Sequence, residues 1–167
     1  MRPRVLVAAI GNVFLGDDGF GLEVLTALAG ADLPNWVQIA DYGISGTHLA
    51  DLLGGYDTTI LLDATPHGRA PGSLSLIDAG PEGLSASAAA DAHGLPRDAV
   101  FRLLRLLGGD AGRVLIICCE PARTTGGVGL SPGVAAAVPV AVAAVTELVW
   151  GGAADATQAR FGRLAPA

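Results

Sequence analysis

Three stretches of the chain place ionisable side chains directly after, or between, apolar runs. The first is Gly11-Asn12-Val13-Phe14-Leu15-Gly16-Asp17-Asp18-Gly19-Phe20-Gly21, which follows the apolar run Val5 to Ile10 and carries paired carboxylates. Its glycines allow a tight path and the close approach of a ligand. It is not a dinucleotide fingerprint, because the glycine register does not match, nor a phosphate-cradling loop, because the required lysine is missing. The second is Asp63, which closes the apolar strand-like run ending Ile60-Leu61-Leu62. An aspartate there suits a metal ligand, a phospho-acceptor or the first turn residue of a loop. The third is His93, in Asp91-Ala92-His93-Gly94-Leu95. A histidine and two carboxylates from separate elements form a nitrogen/oxygen set suited to a divalent transition metal, with positions left open for substrate.

Each of these residues also has a plainer reading. Asp17 fits a helix N-cap, Asp18 the positive end of that helix, Asp63 a turn and His93 a structural or exposed side chain. Of the other histidines, His48 falls inside a short helical segment and His67 in the loop Pro66-His67-Gly68-Arg69. The chain has no Gly-x-Ser-x-Gly elbow and no His-Glu-x-x-His helix, so no serine-nucleophile or zinc-peptidase motif competes. Taken by themselves, the residues lead as far as a candidate metal site.

The elements that must position these residues follow from hydrophobic pattern. Val5 to Ile10 is a continuous apolar run of the kind that suits a parallel strand buried on both faces. Asp17-Asp18-Gly19 opens a helical segment with Leu22, Leu25 and Leu28 near one face. Val37 to Ala40 predicts a second strand ending at Asp41, Thr58 to Leu62 a third, Ser73 to Ile77 a fourth after the Pro71-Gly72 turn, and Val114 to Cys119 a fifth. Ser45 or Thr47 can start a short helix through Leu53, and Val100, Leu103, Leu104 and Leu107 form an amphipathic stripe. Ser131-Pro132 reads as N-cap and first residue of a last long helix ending near Trp150. Strands alternating with helices predict a three-layer αβα sandwich around a mainly parallel, twisted sheet of about five strands. In such sheets ligands bind at the carboxyl ends of strands, which puts Asn12, Asp17, Asp18, Asp41 and Asp63 on one rim.

Composition narrows the class. The 167 residues suit one ordinary domain, here 1–152, followed by a weakly patterned tail, 153–167. A net charge of −6 argues against nucleic acid or an anionic membrane as main partner. All ten basic residues are arginine. A phospho-receiver domain needs a lysine near its last strand, so that reading of the aspartates is disfavoured. The adjacent Cys118 and Cys119 read as small buried hydrophobes at a strand end, which implies reduced thiols and a cytoplasmic protein. The N-terminal apolar run is too short for a signal peptide. Val134 to Val149 is apolar but shorter than a membrane span, and it reads as a packed, small-residue helix.

In order along the chain, five blocks resemble the hydrogenase maturation endopeptidase family. They are Gly11-Asn12 through Asp17-Asp18-Gly19-Phe20-Gly21; Asp41-Tyr42-Gly43-Ile44-Ser45-Gly46; Ile60-Leu61-Leu62-Asp63-Ala64 with Pro71-Gly72; His93-Gly94-Leu95; and Glu120-Pro121 with Gly129-Leu130-Ser131-Pro132. The resemblance spans roughly residues 4 to 150. It implies a five-stranded sheet between helices and a metal-contacting triad of Asp18, Asp63 and His93, which would also be the catalytic set, with Asp41 in support. Many members have glutamate at the position of Asp18, one methylene longer, although the Asp-Asp-Gly form is also familiar. The implied activity is that of an aspartyl-type endopeptidase. It would cut the C-terminal extension from a hydrogenase large-subunit precursor whose nickel is already installed. No cofactor would be permanently bound, since the nickel is the precursor's and is contacted transiently. A non-cleaving, nickel- or precursor-binding assembly protein of the same fold is the alternative.

Overall fold

The computed structural model describes residues 4–41, 56–78 and 113–151. The amphipathic stripe from Val100 to Leu107, the short helix through Leu53 and the tail after 152 lie outside these residues. Five strands form one sheet: β1 (Val5–Ala9), β2 (Val37–Asp41), β3 (Thr58–Ala64), β4 (Leu74–Asp78) and β5 (Arg113–Cys119). Their spatial order is β2-β1-β3-β5-β4. The pairs β1–β2, β1–β3 and β3–β5 are parallel, and only β4 runs antiparallel, at the edge beside β5.

The continuous apolar runs end up where their composition demands. All five residues of β1 are buried, as are six of the seven in β3 and six of the seven in β5. These strands occupy the middle of the sheet, where both faces are covered. On one face Val5, Val7, Ile60, Leu62, Leu115 and Ile117 pack beneath α1 (Phe20–Ala29) and α2 (Pro132–Gly151). Residues of the opposite pleat, such as Leu6, Ala8, Leu61 and Ile116, are buried as well. Strand β2 is an edge and shows it, with a half-buried, partly exposed pattern.

Helix α2 has 20 residues, within a residue of the bounds expected from the sequence, and is apolar enough by length and composition to cross a membrane. One face of it is committed to the core: Val134, Ala137, Ala141, Ala144, Val145 and Leu148 join the same cluster as Phe20, Val24 and Leu28 of α1. The run of alanines lets the two helices approach closely. A second close approach sits at Gly21, where a Cβ would lie 2.7 Å from the Leu62 carbonyl oxygen. Glycine there seats the start of α1 directly on β3.

Candidate active site

Register fixes the rim. Ala9, the last residue of β1, pairs with Asp41 on one side and Leu62 on the other, so Asp41 and Asp63 flank the end of β1. The chain leaves β1 through Ile10, whose N–H still bonds the Leu62 carbonyl at 3.2 Å, and then turns at Gly11. Gly11 has φ +147, and a Cβ there would sit 2.1 Å from the Asp18 carbonyl oxygen. The turn after β1 therefore folds back tightly on the short 3-10 helix Gly16–Gly19 that carries both aspartates.

Asp18 and Asp63 both reach this rim. Asp18 is half-buried, and its Oδ2 accepts the Asn12 N–H at 2.7 Å. Burial pushes its carboxyl above the ordinary aspartate value of 3.8, and the Asn12 N–H offsets this in part. Asp63, the penultimate residue of β3, accepts its neighbour Ala64 N–H at Oδ1 (2.9 Å) and the Thr65 hydroxyl at Oδ2 (3.1 Å). Both carboxylates are thus oriented by the backbone of their own loops. Asp41 is exposed at the end of β2. His93 and His48 lie outside the described residues. No group of three His, Cys, Asp or Glu side chains suited to a metal ion occurs among the described residues.

Asp17 is not the helix cap that its position suggested. The helix α1 starts after the 3-10 turn, with Gly19 in the capping position and no side-chain cap bond. Instead the Asp17 side chain points inward, is 0% exposed, and collects donors from the segment between β5 and α2. Its Oδ2 accepts Ala122 N–H, Arg123 N–H and the Ser131 hydroxyl, each at 2.8 Å, and Oδ1 accepts Ser131 N–H at 2.6 Å. Burial acts to raise this carboxyl, but the bonds from Ser131, Arg123 and Ala122 outweigh it and hold it below 3.8. Ser131 in turn occupies the position before α2, and its carbonyl accepts Ala135 N–H at 2.8 Å. Its hydroxyl, however, serves Asp17 rather than the first turn of the helix.

A second buried carboxylate follows the end of β5. Glu120, 6% exposed, accepts His67 N–H at 2.7 Å and Gly68 N–H at 3.2 Å, which holds down the loop that follows Asp63. The available signal was an acidic residue placed immediately after a six-residue apolar run. His67 enters this arrangement through its backbone. Neither Cys118 nor Cys119 forms a disulfide, and both are buried, as expected. Burial first, then the charges of Asp17, Cys118 and Glu120, push the Cys119 thiol up to about 12.

The rim also carries apolar surface. Leu15 makes a single parallel bridge to Gly127, and beside it Phe14 (67% exposed) and Val128 project from the surface. The loop after β1 and the loop before α2 are further joined by Gly16 N–H to Gly127 carbonyl (2.9 Å) and Asp17 N–H to Arg123 carbonyl (2.8 Å). The rim therefore presents oriented carboxylates beside a joined pair of loops that carry exposed apolar side chains.

Comparison with known proteins bears on the family and the fold. A family model described as hydrogenase maturation protease matches residues 22–148. A putative hydrogenase maturation protease of Methanocaldococcus jannaschii is 30% identical over 152 residues, covering 90% of this chain and 96% of its own length. The crystal structure of a hydrogenase 2 maturation peptidase from a Thaumarchaeota archaeon superposes with a TM-score of 0.70 at 33% identity, covering 88% of this chain and 98% of that one. The Escherichia coli hydrogenase maturating endopeptidase HybD gives a TM-score of 0.77 at 25% identity, over 89% and 94% of the two chains. On the sequence match and the shared fold, this chain belongs to the hydrogenase maturation protease family.

Proposed function

We propose that the protein removes the C-terminal extension of a hydrogenase large-subunit precursor after nickel has been installed, acting in the cytoplasm. It would contact that nickel through Asp18, Asp63 and His93. The observation that carries this reading is the placement of two backbone-oriented carboxylates, from separate elements, on the carboxyl-end rim of the parallel strands. An open set of three ligands suits a transient contact to a metal that belongs to the substrate. Whichever of Asp18 and Asp63 is not engaged with the nickel would serve as general base and take a proton from the attacking water. Phe14 and Val128 offer apolar contact for the precursor beside that point.

The test is an intact-mass measurement on purified protein mixed with nickel-loaded precursor, with metal-free precursor alongside. Discrete loss of the C-terminal peptide is expected only from the nickel-loaded form. Asp18→Asn, Asp63→Asn and His93→Ala should each abolish it. A stable complex without cleavage would replace this reading with that of an assembly-binding protein.

A further inference from the structure

We infer that Asp17 is a positioning residue for the reaction, a buried carboxylate whose bonds to the loop before α2 set where the neighbouring Asp18 carboxylate stands. This rests on the proposed role of Asp18 in cleavage. The two aspartates are adjacent in a 3-10 turn, in which successive side chains diverge by about 120°. One therefore enters the protein while the other stays on the rim. The turn itself has little internal support. It is four residues long, starts at Gly16 with φ +58 and is bonded locally by Asp18 N–H to Leu15 carbonyl at 3.2 Å and by Phe20 N–H to the Asp17 carbonyl. It is tied from outside as well, most heavily by residues more than 100 positions later. Four of those bonds end on the Asp17 carboxylate, from Ala122, Arg123, and the amide and hydroxyl of Ser131.

Only a carboxylate accepts at both oxygens. An asparagine would turn its amide NH2 towards at least one of these N–H donors, losing that bond and setting donor against donor. The turn would then shift, and Asp18 with it, together with its bond to Asn12 N–H.

The experiment compares wild-type protein, Asp17→Asn, Ser131→Ala and, as a control for plain destabilisation, Leu28→Ala in the core. Two readouts are taken: cleavage kinetics on nickel-loaded precursor, and the backbone amide NMR signal of Asn12 at fixed pH. Asp17→Asn should lower kcat by about 100-fold with KM changed less than about threefold, the scale expected of an ångström-sized misplacement. It should also move the Asn12 signal. Ser131→Ala, which removes one donor, should move that signal in the same direction by a smaller amount, and it decides the matter if Asp17→Asn fails to fold. Leu28→Ala should lower Tm and leave the Asn12 signal in place. The inference is overturned if Asp17→Asn behaves like Leu28→Ala, losing stability alone. If wild-type protein does not cleave, the proposed function fails, while the Asn12 signal still decides whether Asp17 holds the turn.

Discussion

Replacing Gly11 by alanine should strike the site without touching either aspartate side chain. At φ +147 an L-residue is strained by about 1–3 kcal/mol. The added Cβ would also lie 2.1 Å from the Asp18 carbonyl oxygen, against 3.4–4 Å for ordinary contact. Both partners are backbone, so relief requires the turn bearing Asp18 to move by roughly 1 Å, and such a displacement can cost about 100-fold in rate. Overpacking adds a further 1–3 kcal/mol or so, which still leaves a folded majority for a domain of typical stability, about 5–15 kcal/mol. Urea unfolding gives the stability loss, and a cleavage time course at saturating precursor gives kcat. Gly126→Ala is the matched comparison. Gly126 has φ +56 but nothing within 4 Å of its Cβ, so it carries strain without collision. It should lose about 1–2 kcal/mol and keep its rate. Wild-type kcat in Gly11→Ala, or an equal loss of rate in both variants, would refute the account of a turn held in place by close backbone approach.

Three further outcomes follow from the buried carboxylates and thiols. Asp17 has its carboxyl lowered in the folded protein, so it contributes stability above about pH 4 that is lost as pH falls through the folded value. The difference in unfolding free energy between wild type and Asp17→Ala should be flat from pH 8 to about 5 and shrink below the unfolded carboxyl value of about 3.9. Glu120→Gln leaves either His67 N–H or Gly68 N–H facing an NH2 group, at a cost of about 1–3 kcal/mol. Limited trypsin digestion should then cut faster after the exposed Arg69. Cys118 and Cys119 are buried, and the Cys119 thiol stands at about 12, so neither should react with iodoacetamide at pH 8 until the protein is unfolded.

The strands and the rim were legible in the sequence, because the signal for a doubly buried strand is local. Val5 to Ile10, Thr58 to Leu62 and Val114 to Cys119 each read as a strand within a residue or two of the observed bounds. With the strands placed, the rule that ligands sit at carboxyl ends located Asp18, Asp41 and Asp63 without further help. The direction of β4 was not legible, since a short edge strand carries no mark of its polarity in five residues. The role of Asp17 was hidden for another reason. A carboxylate before a helix has one expected local partner, the helix amides, whereas its actual partners are 105 to 114 residues away. Glu120 was hidden in the same way, since its partners lie 52 and 53 residues earlier. His93 falls outside the described residues, so its place beside the two aspartates stands as a proposal.

The two tryptophans of the chain sit against each other, Trp36 edge-on to Trp150 with ring centroids 5.6 Å apart. Trp36 immediately precedes β2, and its carbonyl accepts the N–H of Val5, so the pair marks the amino-terminal end of the parallel strands, away from the rim. Intrinsic emission will therefore be nearly silent to events among the aspartates, while Trp150, 55% exposed, makes it sensitive to quenchers and to fraying at the end of α2. An optical titration with precursor calls for a reporter at the other end of the molecule. Phe14→Trp, on exposed surface next to the bridge at Leu15, would supply it at a position already occupied by an aromatic ring.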